Sequence, residues 1–121
     1  MSKRILAVDD QEDNRRILRD LLTSAGFEVL EAADGESAVA LASSQLPDLI
    51  LMDIQLPGID GYEATRRIKA DPALRGIPLI VVTSYALSGD EAKAMAVGAD
   101  AYVSKPFSPR ALLGRVREYL G

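Results

Sequence analysis

Three unbroken apolar runs punctuate the chain: Ile5-Leu6-Ala7-Val8, Leu49-Ile50-Leu51-Met52 and Leu79-Ile80-Val81-Val82. Runs of this length suit strands buried on both faces, as in parallel sheets covered by helices above and below. Phe27-Glu28-Val29-Leu30 and Ala101-Tyr102-Val103-Ser104 predict two further short strands. Between the strands the apolar spacing becomes helical. Ile17, Leu18, Leu21, Leu22 and Ala25 form one stripe behind the acidic, polar turn Gln11-Glu12-Asp13-Asn14, and Gly26 supplies a stop. Asp34-Gly35 turns into a helix carrying Ala38, Val39, Leu41 and Ala42.

The remaining helices announce themselves by their caps. Asp60, with Glu63 three residues on, reads as an N-cap and its reciprocal partner, opening a helix through Ile68 that Asp71-Pro72 closes. Ser88 and Glu91 have the same spacing ahead of an alanine-rich helix ending at Gly98. Ser108-Pro109 starts the last helix, with Leu112, Leu113, Val116, Tyr119 and Leu120 as its apolar stripe. Five strands thus alternate with five helices. That alternation predicts an α/β fold: a doubly wound parallel sheet with right-handed crossovers. One such flavodoxin-like arrangement has strand order 2-1-3-4-5 and its switch point between strands one and three.

That topology changes the meaning of the polar residues. Asp9-Asp10 end the first strand, Asp53 the third, Thr83 the fourth and Lys105 the fifth. In open α/β sheets ligands bind at the carboxyl ends of the strands. Three carboxylates at ~4 Å spacing repel by about 4 kcal/mol per pair at an effective dielectric near 20, so a cation must join them or one must hold a proton. The chain has no histidine and no cysteine. Thiol catalysis, disulfides and thiolate or imidazole metal sites are therefore excluded, while an all-oxygen site suits Mg²⁺. Lys105 adds a positive charge and Thr83 a hydroxyl donor. A carboxylate, a hard cation, a lysine and a hydroxyl suit phosphoryl transfer, with Asp53 as nucleophile. A phosphoryl group arriving there would draw Thr83 and Lys105 towards it, which implies a switch.

Size and charge narrow the class. A length of 121 residues predicts one domain over 1–121, and 48% hydrophobic residues can build its core. The net charge of −4 argues against a nucleic-acid surface. No apolar run approaches the roughly 20 residues that span a bilayer, and the four apolar residues after Arg4 are too few for a signal peptide, so a cytoplasmic location with no membrane partner is expected. No output domain follows Gly121, which points to a stand-alone regulator. Taken singly, the residues have plainer readings: Asp9 and Asp10 as helix caps, Asp53 as a turn residue, Thr83 as a strand former, Tyr102 and Phe107 as packing. Their ordered conjunction outweighs these readings.

Two other functions share parts of the pattern. An aspartyl phosphatase would want a second carboxylate two residues after Asp53, where Gln55 stands. A flavodoxin-like cofactor carrier would want a glycine- and hydroxyl-rich loop after Val8, where the chain is acidic.

The ordered set Val8-Asp9-Asp10, Asp48 to Asp53, Leu56-Pro57 to Asp60-Gly61, Val82-Thr83 and Lys105-Pro106-Phe107 resembles the receiver domains of two-component response regulators, the CheY-like superfamily, over nearly the whole chain. Pro47 to Pro57 and Gly89-Asp90-Glu91 look especially like the DivK-type single-domain regulators. The resemblance implies that Asp53 accepts a phosphoryl group from a histidine kinase or histidine phosphotransfer protein. It implies Mg²⁺ held by Asp10 directly, by Asp9 through water, by Asp53 and by the backbone carbonyl of Gln55. Thr83 and Tyr102 would be a switch pair, Lys105 would contact the phosphoryl group, and the peptide before Pro106 would be cis. A downstream protein would read the fourth helix, fifth strand and fifth helix, where Tyr85, Tyr102 and Arg110 are candidates. Catalysis would be limited to the protein's own phosphorylation and dephosphorylation. Ser84 stands where the family usually has alanine, and Gln55 and Tyr85 occupy positions that tune the phosphoryl lifetime.

Overall fold

A computed structural model of the chain describes residues 2–83 and 90–121. The strands are β1 (Arg4–Val8), β2 (Glu28–Ala32), β3 (Leu49–Met52), β4 (Leu79–Thr83) and β5 (Ala101–Ser104). The helices are α1 (Glu12–Ser24), α2 (Gly35–Gln45), α3 (Gly61–Ala70), α4 (Asp90–Ala96) and α5 (Pro109–Leu120). All pairings are parallel, as the alternation predicts, and the sheet order is β2-β1-β3-β4-β5, that of the flavodoxin-like arrangement. β1 lies between β2 and β3, with Val8 opposite Ala32 on one side and Met52 on the other.

Each central strand sends alternate side chains to opposite layers. Leu6, Val8, Ile50, Met52, Leu79 and Val81 pack with Ala38, Ala64, Ile68 and Ala94 of α2, α3 and α4. Ile5, Ala7, Leu49, Leu51, Ile80 and Val82 pack with Leu18, Leu22, Leu112 and Val116 of α1 and α5. Burial on both faces explains why polar residues stand only at the ends of these strands.

Several details depart from the pattern reading. β2 runs to Ala32 rather than ending at Leu30, and Phe27 lies before it. The ladder to β1 carries the pairing onward through Glu31 opposite Ala7 and Ala32 opposite Val8. As an edge strand, β2 tolerates Glu31 because Arg15 and Arg19 reach its carboxylate. Ile17, assigned to the apolar stripe of α1, is 58% exposed, and Tyr119 of α5 also lies at the surface. The stripe that helical spacing suggests is wider than the face the sheet covers; at Tyr119 the hydroxyl donates to the Asp100 carbonyl at 3.1 Å.

The caps fare better. Asp34, Asp60 and Ser108 each accept from the backbone N–H three residues on. At α3 the Glu63 carboxylate bonds Arg66 and Arg67, which lower its pKa to about 2. The Ser88 cap and the positions Ser84 and Tyr85 lie outside the described residues. Gly61 starts α3 so close to β3 that a Cβ there would overlap the Asp53 carbonyl, which accounts for glycine at that position.

Candidate functional site

Three residues continue the strand ladders one step beyond their carboxyl ends. The N–H of Asp9 donates to the Ala32 carbonyl at 3.1 Å, that of Asp53 to Val8 at 3.0 Å and that of Lys105 to Thr83 at 2.8 Å. Strand alternation then puts Asp9 in line with Ile5 and Ala7, Asp53 with Leu49 and Leu51, and Lys105 with Ala101 and Val103. All three therefore belong to the sheet face covered by α1 and α5. Thr83, fully buried at the end of β4, is in line with Leu79 and Val81 of the other face. Tyr102 packs against that second layer, and its strand partner is Val81.

The side chains converge as the topology requires. Lys105 Nζ donates to Asp9 Oδ2 at 2.8 Å and lies 3.7 Å from Asp53 Oδ2. Asp9, Asp10 and Asp53 each bring a carboxylate oxygen within 4.8 Å of the others. Asp9 and Asp53 are buried, whereas Asp10 is exposed. The two oxygens of Asp53 are not equivalent. Oδ1 accepts the N–H of Ile54 at 2.7 Å and, more distantly, that of Gln55 at 3.4 Å, which leaves Oδ2 facing Lys105. Gln55 itself is exposed beside it.

Asp9 serves the turn into α1 as well as the site. Its Oδ1 accepts the Gln11 N–H at 3.0 Å in the turn before α1, whose N-cap is Gln11 and carries no side-chain cap bond. Its Oδ2 holds Lys105. Burial pushes the Asp53 carboxyl above its ordinary pKa; Lys105 opposes this, Asp9 reinforces it, and the two backbone donors pull it back down. The donor set fits Mg²⁺, since every available ligand is a hard oxygen and negative charge exceeds the single lysine that reaches Asp9 and Asp53.

Sequence reasoning missed residues of α1 that reach back to the end of β1. Arg15 Nη1 donates to the Asp9 carbonyl at 2.7 Å, and Asn14 Nδ2 lies 3.5 Å from Asp9 Oδ1. A groove of about 310 Å³ adjoins the site, lined by Ile17, Leu21, Pro106 and Phe107 with Lys105 at its edge. The exposure of Ile17 is its signature. The peptide between Lys105 and Pro106 is cis, as the resemblance implies.

Known proteins are similar to this chain in sequence and fold. The sequence profile of the response regulator receiver domain matches residues 5–117. The polar-differentiation response regulator DivK of Brucella ovis is 43% identical over 121 residues, covering 100% of this chain and 98% of the relative. A CheY-like response regulator receiver domain protein from Methanospirillum hungatei superposes with a TM-score of 0.93 at 34% identity, over 99% of this chain and 94% of that one. The receiver domain of a sensor histidine kinase from Pseudomonas aeruginosa, solved with a magnesium ion coordinated in its active-site cleft, gives a TM-score of 0.93 at 38% identity, over 100% and 99% of the two chains. Among the described residues no helix is long and apolar enough to cross a membrane.

Proposed function

The chain belongs to the response regulator receiver domain family, and from that premise we propose that it accepts a phosphoryl group on Asp53 in a Mg²⁺-dependent reaction and relays it as a change of surface. The observation that carries this reading is the asymmetry of Asp53. Oδ1 is tied to backbone N–H groups, so the carboxylate is oriented and Oδ2 is presented to the cleft beside Lys105. An ionised carboxylate needs no general base, consistent with a site that lacks histidine.

Oδ2 attacks phosphorus in line. The O–P bond forms as the P–N bond of a phosphohistidine breaks, and the electron pair leaves on the imidazole nitrogen. Bound Mg²⁺ would neutralise the phosphoryl oxygens, held by Asp10, Asp53 and the Gln55 carbonyl, with Asp9 acting through water. Lys105 bridges Asp9 and Asp53 before transfer and can follow the phosphoryl group afterwards. Thr83 and Tyr102, on the neighbouring strands β4 and β5, form the switch pair that carries the change to α4, β5 and α5. The donor is a histidine kinase or histidine phosphotransfer protein, and the apolar groove beside Lys105 gives its helix a place to dock. This reading describes one receiver domain over 1–121, acting in the cytoplasm on a downstream protein.

Intact mass after acetyl phosphate treatment tests the reaction. One phosphoryl adduct is expected with Mg²⁺, none after chelation and none on Asp53→Asn. An equal adduct on Asp53→Asn defeats the assignment. Ile17→Glu tests docking separately: transfer from a phosphohistidine protein should slow while acetyl phosphate labelling is unchanged.

A further inference from the structure

Where Asp9 and Asp10 sit depends on the peptide that joins them, and a residue outside the carboxylate set holds it. The side chain of Arg15, in α1, is only 14% exposed. Its Nη1 donates to the Asp9 carbonyl at 2.7 Å, its Nη2 pairs with Glu12, and its Nε lies 3.3 Å from Glu31 Oε1 on β2. Arg19 takes the other oxygen of Glu31 at 2.8 Å. Glu12 and Glu31 balance the Arg15 guanidinium where it stands. Its contribution to the cleft is therefore directional. The planar fork reaches three acceptors lying in different directions, which a lysine ammonium on a flexible stem does not reproduce.

The carbonyl that Arg15 holds belongs to the Asp9–Asp10 peptide. Rotation of that peptide moves the Asp10 carboxylate relative to Asp9 and Asp53. The strand ladder fixes the peptide's start through the bond from Asp9 N–H to Ala32, and Arg15 fixes its carbonyl from the α1 side. We infer that Arg15 is a positioning residue for the divalent-ion site, clamping the Asp9–Asp10 peptide between α1 and the edge strand so that the three carboxylates stay convergent. This inference rests on the metal reading proposed above.

Mn²⁺ is the probe, with the free ion counted by electron paramagnetic resonance on unphosphorylated protein and folding followed in parallel by thermal melts. Arg15→Met should weaken Mn²⁺ binding about tenfold, the lower end of the range found for residues that orient metal ligands, and Arg15→Lys less, about threefold. Arg19→Met removes the other partner of Glu31 without touching the Asp9 carbonyl and should leave affinity within about twofold. The clamp is overturned if folded Arg15→Met binds Mn²⁺ as wild type does, or if Arg19→Met weakens binding as much as Arg15→Met. Should Arg15→Met fail to fold, Arg15→Lys against Arg19→Met decides by the same comparison. A wild-type protein that binds no Mn²⁺ removes the metal reading itself, an outcome distinct from a variant that keeps its affinity.

Discussion

At the amino-terminal end of the sheet, Asp48 accepts the Arg4 N–H at 2.8 Å, and the Arg4 guanidinium bonds Gln45. Asp100 accepts the Leu79 N–H at 2.8 Å and Lys69 Nζ at 2.9 Å, while Lys69 also serves the carbonyls of Arg75 and Ile77. At the opposite end, Asp9, Asp10 and Asp53 converge, and Lys105 reaches two of them. The residue types are the same; the stoichiometry is reversed. Asp48 and Asp100 fasten strand starts with donors to match, so their bonds serve the fold. The carboxyl end carries uncompensated negative charge, and each close pair of carboxylates opposes folding by up to about 4 kcal/mol. Such a surplus is the charge that a bound divalent cation would answer.

Breaking the balance at Lys105 should have the largest effect. Lys105→Met leaves two buried carboxylates facing each other and should cost about 3 kcal/mol in urea denaturation. Saturating Mg²⁺ should restore more stability to this variant than it adds to wild type, since ligand at a hundredfold excess over its dissociation constant contributes about 2.7 kcal/mol. Equal gains for both proteins would mean that lysine and metal do not answer the same charge. Next in size is the amino end. Asp100→Ala strands the Leu79 N–H and should cost about 2 kcal/mol. Here the Mg²⁺ gain should equal that of wild type; a diminished gain would couple the two ends and undo the contrast between them.

The same contrast explains what could be read from the residues alone. β1, β3 and β4 were legible because burial on both faces demands unbroken apolar runs, and a buried run that stops at a carboxylate marks its own end. Topology then brought Asp9, Asp10, Asp53 and Lys105 together from positions far apart in the chain. α3 and α5 were legible from Asp60 and Ser108, whose side chains act within three residues. β2 was blurred because an edge strand can carry Glu28 and Glu31, so its polar residues hid its length. Ile17 and Tyr119 fit a helical stripe that the sheet does not fully cover. Arg15 was illegible for a different reason: a backbone carbonyl and a strand carboxylate have no signature in the spacing around it. Local chemistry can be read locally, and clamps between elements cannot.

The smallest expected effect separates the two ends by pH. Burial raises the Asp53 carboxyl above its ordinary pKa, with Lys105 opposing and Asp9 reinforcing the rise. The folded protein thus keeps a proton on Asp53 at pH values where the unfolded chain has released it. Between the ordinary aspartate value and the raised one, the folded state binds more protons, so this group's contribution makes stability fall as pH increases. Above the raised value the ionised carboxylate is a standing cost, and Asp53→Asn removes it. The variant should be more stable than wild type at pH 7 without Mg²⁺. The advantage should shrink as pH falls from the raised value to the ordinary aspartate value and vanish below it, because wild type is then protonated in both states. Urea melts of both proteins from neutral to acidic pH, in chelator, measure the difference directly. If Asp53→Asn is less stable than wild type at neutral pH, the bonds from Ile54 and Gln55 outweigh burial, and the carboxyl end of the sheet is as well balanced as the amino end.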